Sequence, residues 1–382
     1  MLGCLNRKEV RNEMKDLKAI VLAGGFATRL RPLTLTKPKP LLTVLGKPLL
    51  EWIVEMLSQA GIKDIVISVR YMSQVIRNRL GNGTEYSVNI IYVEEDKPLG
   101  DAGPLTLIAD EVGLNDTFIV VYGDIFCDID LTKVVEFHKQ KGGLITIVLA
   151  KVDDPSRYGV AVLDEDSRII NFVEKPKSEE APSNLVNAGI YVFEPEALRY
   201  IPKKAPSKLA RDLIPRLVND KLVYGYVYHG IWGDIGVPKD YLRINIEVLR
   251  KYYPNGYIDA DSKVSEKAEI IQPVFIGKNV QIAEESFIGP FAIIEDDVKV
   301  GKLARIKKSL IQIGTFIEQA AYISGSIIGE RCHIGKWARI DEEVVIGDEV
   351  NMSDEVYIAR NVKILPFKEI DRSVYSAGEI IL

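Results

Sequence analysis

The sequence contains few of the residues that build metal centres and disulfide frameworks. It has three cysteines and three histidines, and Cys4, Cys127 and Cys332 are far apart along the chain. An odd, scattered set of cysteines disfavours a disulfide scaffold or a zinc site and predicts reduced thiols in a cytoplasm. The lack of a Ser-His-Asp arrangement, of CxxC and of HExxH disfavours acyl transfer through a nucleophile and zinc chemistry. His138 is predicted to be a solvated helix residue.

Long apolar runs and an excess of positive charge are also missing. No run approaches the roughly 18 residues that span a bilayer, and residues 1–16 lack the apolar core of a signal peptide. The net charge of −5 argues against a nucleic-acid partner or a polyanionic membrane. These absences predict a soluble cytoplasmic protein, and we interpret residues 1–16 as a short N-terminal extension.

The pattern of the 382-residue chain changes near residue 250, which predicts two domains. Between residues 17 and 250, short β-branched runs alternate with amphipathic stretches. The predicted strands are 19–22, 64–69, 89–93, 117–122 and 144–150, and the predicted helices are 49–60, 74–80 and 131–140. This alternation predicts an α/β domain of Rossmann-like type, with a mixed, mainly parallel sheet covered by helices. Ligands of such sheets bind beyond the carboxyl ends of the strands.

From residue 264 an aliphatic residue recurs every six positions. The repeat runs from Val264 to Ile364 with two five-residue steps, and glycine often follows the aliphatic residue. A period of six predicts a left-handed parallel β-helix of hexapeptide repeats in which the aliphatic side chains point inward. We expect this domain, with a C-terminal tail, over 264–382, after a linker at 251–263. Its flat exposed walls predict a homo-oligomer.

A candidate phosphate-binding loop follows the first predicted strand. Gly24 and Gly25 have no Cβ atoms, so backbone N–H groups can approach phosphate oxygens closely. Arg29 can donate two parallel hydrogen bonds to a phosphate, and Lys37 and Lys39 add positive charges next to prolines. A glycine turn with a solvated arginine would explain the same residues, so this interpretation needs support from elsewhere in the chain.

Two aspartates provide that support. Asp124 ends the apolar run 120–124, and Asp234 lies between glycines after the strand-like residues 222–228. Two carboxylates at one pole of the sheet can hold a Mg²⁺ ion that bridges phosphate oxygens. Each aspartate alone can equally cap a helix or a turn. As a pair near a phosphate loop, they favour the metal site.

Three further segments carry candidate substrate residues. Glu174 can accept hydrogen bonds from sugar hydroxyls and Lys175 can meet a phosphate, although a surface ion pair would explain both. Gly159 and Asn187 lie where a hydroxyl-rich ligand can approach the backbone, or in ordinary turns. The small residues of 99–104 leave room for a flat base, or they form a plain junction between a loop and a helix.

These residues occur in an order that resembles the nucleotide-sugar pyrophosphorylases, which are sugar-1-phosphate nucleotidyltransferases. The resemblance runs from about residue 17 to the last residue, and its motifs are 24–32, 38–42, 159, 174–176, 187–189 and 234–236. The segments most similar to GDP-mannose pyrophosphorylases are 71–74, 98–104, 154–159, 238–241, 329–339 and the C-terminal end.

The resemblance implies that GTP and mannose 1-phosphate give GDP-mannose and pyrophosphate with the help of Mg²⁺. A sugar-phosphate oxygen attacks the α-phosphorus in line, without a covalent enzyme intermediate. The residue roles that it implies are catalysis by Arg29, Lys39, Asp124 and Asp234, Mg²⁺ binding by Asp124 and Asp234, nucleotide binding by Leu22, Ala23, Gly24, Gly25, Thr28, Arg29, Gly100 and Gly103, and sugar-phosphate binding by Gly159, Glu174, Lys175 and Asn187.

Three residues depart from the family's pattern. Ala27 replaces a usual glycine, which predicts a different loop path, and Asp101 replaces a usual threonine beside the base, which puts nucleotide preference in question. Gly123 precedes Asp124 as in thymidylyltransferase relatives, whereas the mannose enzymes often carry serine. The alternative is therefore a glucose-1-phosphate thymidylyltransferase or uridylyltransferase.

Two other classes of protein share parts of this sequence pattern. A bifunctional acetyltransferase needs a basic residue at a subunit junction, and His333 is the only histidine of the repeat region. A non-catalytic regulatory subunit would be expected to lose the loop arginine, a metal aspartate or Lys175. This chain keeps all of them, and its repeats run on without the long loop insertions that an acetyltransferase site usually brings. Both classes are therefore less favoured than the nucleotidyltransferase.

Overall fold

A computed structural model describes residues 13–203 and 205–382, and contacts divide the chain into two units. Of the described residues, the first unit contains 13–25, 49–203 and 205–233, and the second contains 26–48 and 234–382. Residues 1–12 of the predicted N-terminal extension, with Cys4, lie outside the described residues, whereas Met14 is fully buried. Within the described ranges, no helix is long and apolar enough to cross a membrane.

Short strands and helices alternate before the β-helix begins. The strands are β1 (Lys18–Leu22), β2 (Thr43–Val44), β3 (Lys47–Pro48), β4 (Asp64–Val69), β5 (Asn89–Glu94), β6 (Phe118–Tyr122), β7 (Ile125–Cys127), β8 (Ile145–Lys151), β9 (Gly159–Leu163), β10 (Ile169–Glu174), β11 (Leu185–Phe193), β12 (Val223–Tyr228) and β13 (Trp232–Asp234). The α-helices are α1 (Leu49–Ala60), α2 (Ser73–Leu80), α3 (Gly103–Val112), α4 (Leu131–Lys141), α5 (Ile214–Asn219) and α6 (Pro238–Tyr252). The shorter helical turns are Thr28–Leu30, Leu33–Leu35, Lys39–Leu41, Thr84–Tyr86, Ser178–Glu180, Pro195–Tyr200 and Leu209–Leu213.

The first unit is built on a nine-stranded mixed sheet. Its strands β6, β1, β4 and β5 are adjacent and parallel, whereas β11 pairs antiparallel with β6, β8 and β9. Ile20, Val66 and Val120 in the central strands are fully buried. Strands covered on both faces read as continuous apolar runs, which is why the sequence predicted them. The predicted α/β class with a mainly parallel sheet is confirmed.

His138 is buried, so its predicted position in solvent was wrong. It lies in α4, where its Nδ1 is 2.8 Å from Thr146 Oγ1 and its Nε2 is 2.9 Å from Glu194 Oε1. Leu131, Val134 and His138 follow the spacing of one helix face, and all three are buried. Burial is the main reason that the pKa of His138 lies below its ordinary value.

From residue 257 the chain forms a parallel β-helix with three walls of eight, seven and six strands. The first wall contains Tyr257–Ile258, Phe275–Ile276, Ile293–Ile294, Leu310–Ile311, Ile327–Ile328, Val345–Ile346, Lys363–Ile364 and Ile380–Ile381. The second wall contains Lys263–Val264, Gln281–Ile282, Lys299–Val300, Phe316–Ile317, His333–Ile334, Asn351–Met352 and Glu369–Ile370. The third wall contains Glu269–Ile270, Phe287–Ile288, Arg305–Lys307, Tyr322–Ser324, Arg339–Ile340 and Tyr357–Ile358.

The six-residue repeat explains this architecture. Partners in neighbouring coils are 18 residues apart, as in Ile276 and Ile294, or 17 apart across a five-residue step, as in Ile294 and Ile311. All three isoleucines are fully buried inside the coil. The stacked parallel strands confirm the domain predicted as a left-handed β-helix. Its first strand, Tyr257–Ile258, lies within the residues predicted as a linker.

Candidate active site

A cavity of about 320 Å³ opens at the carboxyl ends of the central parallel strands in the first unit. Its lining consists of Leu22, Gly24, Gly25, Arg70, Glu95, Pro98, Gly100, Asp101, Pro104, Tyr122 and Asp124. Arg70, Glu95 and Asp124 lie just after β4, β5 and β6. This edge of an α/β sheet is where ligands bind. Five of the residues predicted to bind nucleotide or metal therefore lie in one cavity.

Sequence reasoning did not name Arg70 and Glu95 as site residues, although a signal for them exists. Arg70 directly follows the predicted strand 64–69, and Glu95 lies two residues after the predicted strand 89–93, just as Asp124 lies two residues after 117–122. Because parallel strands end at the same edge of a sheet, the rule that selected Asp124 applies equally to these two residues.

The position of Glu95 explains why residue 24 is a glycine. The Glu95 carboxylate is 7% exposed and accepts hydrogen bonds from Ser68 Oγ at 2.9 Å and from Leu99 N at 3.3 Å. A Cβ on Gly24 would lie only 2.9 Å from Glu95 Oε1, whereas one on Gly25 would meet nothing within 4 Å. Gly24 makes room for a carboxylate of the protein, and Gly25 leaves open space for a ligand.

The two predicted base-binding glycines also meet packing requirements. Gly100 has a φ of +81°, and its Cβ would lie 2.2 Å from Ser207 O. Ser207 holds this loop, because its N–H donates to Leu99 O at 2.9 Å and its carbonyl accepts from Ala102 N at 3.0 Å. Gly100 lines the cavity, whereas Gly103 is buried at the start of α3.

Asp101, the departure from the family's threonine, is engaged by protein groups. Its Oδ2 accepts from Tyr122 OH at 2.8 Å, and its Oδ1 accepts from Leu209 N at 2.7 Å. The Tyr122 ring packs edge-on against Tyr191, with centroids 5.6 Å apart, and Tyr191 OH accepts from Asn187 Nδ2 at 2.7 Å. Burial raises the pKa of both tyrosines well above its ordinary value. A chain of polar groups thus runs from the cavity wall to Asn187.

Gly123 is explained by packing at the end of β1. Its N–H donates to Leu22 O at 2.9 Å, and a Cβ there would lie 3.0 Å from Leu22 O and 3.2 Å from Ala23 Cβ. Ala23 itself is buried. A serine would require the end of β1 to shift by a few tenths of an ångström. The glycine before Asp124 therefore has a local reason that does not depend on the substrate.

Three of the four predicted sugar-phosphate residues, Gly159, Glu174 and Lys175, lie at one end of the β9–β10 pair. Gly159 and Glu174 are cross-strand partners, and a Cβ on Gly159 would lie 2.4 Å from Phe172 Cζ. Lys175 has a φ of +51°, and its N–H donates to Tyr158 O at 2.9 Å. Its side chain is 60% exposed, with Nζ 3.5 Å from Glu174 Oε1. An accessible ammonium group therefore lies beside a carboxylate.

Asn187 lies where β11 departs from regular pairing with β8. Its Oδ1 accepts from Gly189 N at 3.0 Å, in addition to the bond from its Nδ2 to Tyr191. Gly189 has a φ of +75°, and its Cβ would lie 2.8 Å from the Tyr122 ring. Close packing thus fixes the amide group of Asn187 before any ligand binds.

Arg29, Lys39 and Asp234 belong to the second unit. Lys39 is 7% exposed, and its Nζ donates to Asp234 Oδ1 at 3.1 Å. A Cβ on Gly236 would lie 2.9 Å from Asp234 Oδ2 and 3.6 Å from Arg29 Nη2. Thr28 and Arg29 are exposed in the turn Thr28–Leu30. Two cations and a carboxylate predicted to act on phosphates are therefore gathered in one place.

Ala27 adopts the backbone conformation that glycine favours. Its φ is 47° and its ψ is 45°, and its carbonyl accepts from Thr34 Oγ1 at 2.9 Å. For an L-residue this left-handed conformation costs about 1–2 kcal/mol. Ala27 therefore adopts a backbone conformation suited to glycine.

The carboxylates available for a metal ion suit magnesium. Over the described part of the chain, no three His, Cys, Asp or Glu residues form a metal-binding group. Mg²⁺ in nucleotide sites is commonly held by one or two carboxylates together with substrate phosphates and water. Asp124 at the cavity and Asp234 beside Lys39 are hard oxygen donors of this type. Their joint binding of Mg²⁺ stays a prediction.

His333, the predicted acetyltransferase candidate, is engaged within the β-helix. Its Nδ1 is 2.9 Å from Asn351 Oδ1, and its Nε2 is 3.3 Å from Glu318 Oε1. Asn351 is its partner in the neighbouring coil of the second wall. Both ring nitrogens therefore take part in bonds within the β-helix.

Two family models match the chain over most of its length. The model described as nucleotidyl transferase matches residues 18–251. The chain belongs to the nucleotidyl transferase family. The model described as GMPPB C-terminal domain matches residues 270–381 of this nucleotidyl transferase. The predicted family and enzyme class are thereby confirmed.

Named relatives are similar to this nucleotidyl transferase over nearly its whole length. A Sulfolobus acidocaldarius protein, to which mannose-1-phosphate guanyltransferase activity is assigned, is 45% identical over 367 residues, covering 96% of this chain and 100% of the relative. The mannose-1-phosphate guanyltransferase of Schizosaccharomyces pombe is 38% identical over 373 residues, with 96% and 100% covered. A solved Bacillus anthracis structure, assigned as a glucose-1-phosphate thymidylyltransferase, is 32% identical with a TM-score of 0.55 and covers 60% of this chain and 94% of its own.

Proposed function

We propose that this nucleotidyl transferase converts GTP and mannose 1-phosphate into GDP-mannose and pyrophosphate. The observation that carries the proposal is the length of the similarity to mannose-1-phosphate guanyltransferases. That similarity covers 96% of the chain in both relatives, and residues 270–381 match the GMPPB C-terminal domain. The structure assigned as a thymidylyltransferase covers only 60% of the chain, so the longer similarity favours the mannose-1-phosphate guanyltransferase reaction.

In this proposal the cavity of the first unit binds the nucleotide. Gly25 leaves backbone N–H groups accessible to phosphate oxygens, which suits an anion that carries several negative charges. The Watson–Crick edge of guanine carries N–H donors. Three carboxylates line the cavity, and besides Asp124, which is proposed to bind metal, Glu95 and Asp101 are acceptors. Each carboxylate oxygen has two lone pairs and can accept a second hydrogen bond, which supports a guanine nucleotide.

The remaining site residues act on the phosphates and the sugar. Arg29 and Lys39 offset negative charge on the triphosphate, and the exposed ammonium of Lys175 binds the sugar phosphate. Glu174 and Asn187 bind sugar hydroxyls, while Gly159 permits their close approach. Asp124 and Asp234 would hold Mg²⁺, which when bound supplies positive charge to the phosphate oxygens.

The chemical step needs positioning and charge neutralisation but no protein nucleophile. An oxygen of the sugar phosphate forms a bond to the α-phosphorus as the bond from that phosphorus to the bridging oxygen breaks. The electron pair leaves with pyrophosphate. Side chains that hold the reactants in line and offset the developing charge supply most of the acceleration in such reactions.

The test is pyrophosphate release with Mg²⁺ across a matrix of substrates. GTP, dTTP, UTP, ATP and CTP are each paired with the 1-phosphates of mannose, glucose and N-acetylglucosamine. We expect a clear maximum for GTP with mannose 1-phosphate. A maximum for dTTP or UTP with glucose 1-phosphate would overturn the substrates and keep the mechanism. Asp124→Asn should abolish turnover if the protein is an enzyme. If it is a regulatory subunit that only binds nucleotide-sugar, the same substitution should weaken that binding little.

We also propose that the protein is a cytoplasmic homo-oligomer that assembles through its β-helix. The support for assembly is exposed aromatic surface on that domain, where Trp337 is 59% exposed and Phe367 is 64% exposed. Light scattering on the full chain should give a mass above that of one chain, and Trp337→Ser with Phe367→Ser should lower it. A monomeric unmodified protein would contradict the proposal.

A further inference from the structure

Lys37 is a buried lysine close to Lys39, and the family resemblance implies no role for it. It is 8% exposed. Its Nζ donates to the Glu330 carboxylate and lies 3.3 Å from Asp348 Oδ2. Thr36 Oγ1 donates to the same Asp348 oxygen at 2.6 Å. A buried ammonium is tolerated only where it is paired, so these two β-helix carboxylates determine where residue 37 lies.

The β-helix itself orients these carboxylates. Asp348 is 2% exposed, and its Oδ1 accepts from Glu330 N at 2.9 Å. Its other oxygen is thereby aimed at residues 36 and 37. Asp348 therefore connects two neighbouring coils to the segment that carries Lys39.

A second attachment holds the other side of the same segment. Thr43 Oγ1 donates to the carboxylate of Glu295, which is 3% exposed and also accepts from Ile313 N at 3.2 Å. Leu45 N donates at 2.9 Å to Oδ1 of Asn245, a fully buried residue of α6. The turn Lys39–Leu41 thus lies between two attachment points on the second unit.

The sequence of the segment makes it stiff. Lys39 lies between Pro38 and Pro40, and each proline ring restricts its own φ to about −65°. Pro38 has a φ of −71°. Because so few backbone torsions can rotate between residues 37 and 39, a shift of Lys37 moves Lys39 with it.

We propose that Glu330 and Asp348, acting through Lys37, are positioning residues for Lys39 in nucleotidyl transfer, with Glu295 acting similarly through Thr43. The inference rests on the role proposed for Lys39, whose Nζ lies 3.1 Å from Asp234 Oδ1. Apolar residues often stabilise a fold as well as a buried ion pair does. The paired charges hold the segment in one position. An apolar contact that only stabilised the fold would not need to fix that position.

The test compares Glu330→Gln and Asp348→Asn with the unmodified full chain. Glu284→Gln is the matched control, because Glu284 pairs with Lys267 at 3.1 Å and Lys302 at 3.0 Å on the β-helix. We expect faster amide hydrogen exchange confined to residues 33–48. Displacing a catalytic group by 1 Å lowers rates by about 100-fold, so kcat/KM for GTP should fall by about 10- to 100-fold, while KM for mannose 1-phosphate and the oligomeric state stay unchanged.

Thr36→Val keeps the buried charges and removes one hydrogen bond to Asp348, so it tests the same attachment if Asp348→Asn fails to fold. It should produce a smaller change of the same kind. Unchanged exchange in residues 33–48 would overturn the proposal, and so would faster exchange with unchanged kcat/KM for GTP. If the unmodified protein is inactive across the whole substrate matrix, the proposed function fails. In that case, hydrogen exchange in residues 33–48 and GTP binding by calorimetry, measured on Glu330→Gln and Asp348→Asn, still decide whether the two carboxylates position the segment.

Discussion

The nucleotidyltransferase sheet and the β-helix both contain parallel strands, but their polar side chains are arranged differently. In the sheet, neighbouring strands end in different residues, and Arg70, Glu95 and Asp124 line one cavity because their strands end at the same edge. In the β-helix, residues 17 or 18 apart occupy the same position in successive coils. In the β-helix, a residue that makes a contact outside the repeat is therefore expected to differ from the residues at the same position in other coils.

Glu295 and Gln312 are such departures. Three of the equivalent residues in other coils are the glycines Gly277, Gly329 and Gly347, each of which follows the inward isoleucine of its coil. Glu295 contacts Thr43, and Gln312 Nε2 donates to Tyr241 OH at 3.3 Å. At this position of the repeat, the two residues Glu295 and Gln312 therefore make contacts outside the repeat, where three other coils have glycine. In the sheet, the position just after a strand indicates a site residue.

The largest expected effect is on catalysis by Lys39. Lys39→Met should lower kcat by about 100- to 1,000-fold, because removing one preorganised group that offsets charge has effects of this size. The measurement is steady-state pyrophosphate release with GTP and mannose 1-phosphate. Lys133→Met, at an exposed lysine of α4, is the control and should retain full activity. Equal activity of the two variants would contradict the role of Lys39.

The next prediction separates the two kinds of glycine at the cavity. Gly100→Ala should lower the free energy of unfolding by roughly 3 kcal/mol, because its φ is +81° and its Cβ would lie 2.2 Å from Ser207 O. Gly25→Ala has open space and should leave stability nearly unchanged while weakening GTP binding. Urea denaturation and calorimetry measure the two effects. Equal destabilisation would show that the cavity glycines do not differ in this way.

Much of the fold could be predicted because its patterns are local. The strands read as apolar runs, and the β-helix repeats every six residues. The burial of His138 was missed although its helical spacing indicated it. The attachment of Lys37 could not be predicted, because its partners Glu330 and Asp348 lie about 300 residues away in sequence and only the folded chain brings them together.

A pH-dependent prediction concerns Glu295. The pKa of Glu295 is raised from 4.5 to about 7, and burial is the largest cause. The charge of Glu330 also raises this pKa. Hydrogen bonds from Thr43 and Ile313 N and the charge of Lys37 lower it, but by less. The folded protein therefore binds the proton more tightly than the unfolded chain. The stability that this provides is complete below pH 4.5 and is lost as the pH rises through about 7.

Glu295→Gln cannot ionise and should remove this dependence. The free energy of unfolding of Glu295→Gln minus that of the unmodified protein should be larger at pH 8 than at pH 5 by about 2.5 kcal/mol. Denaturation curves at both pH values measure the difference. Glu284→Gln, at an exposed carboxylate whose pKa is lowered mainly by hydrogen bonds from Lys302 and Lys267, should not show this dependence. A pH-independent effect of Glu295→Gln would contradict the raised pKa.

The smallest expected effect is at Ala27. Ala27→Gly should raise the free energy of unfolding by about 0.5–1 kcal/mol, because relief of the left-handed backbone exceeds the added entropy of the unfolded chain. Ala102, which lies in the right-handed helical region at the N-cap of α3, provides the control. Ala102→Gly should be destabilising. Thermal denaturation of both variants measures the two effects, and destabilisation by Ala27→Gly would contradict the prediction.

The coils between Glu295 and Glu330 fix a distance along the β-helix. Glu295 follows Ile294 and Glu330 comes shortly after Ile328, so the two acidic residues are separated by two coil steps through Ile311. At the usual spacing of neighbouring strands this separation is about 10 Å. An extra coil inserted between them would separate the two attachment points by the width of one more strand, and the stiff segment around Lys39 could not reach both. Coils added before Glu295 or after Asp348 would leave that distance unchanged, so natural variation in the length of the β-helix should be confined to its two ends.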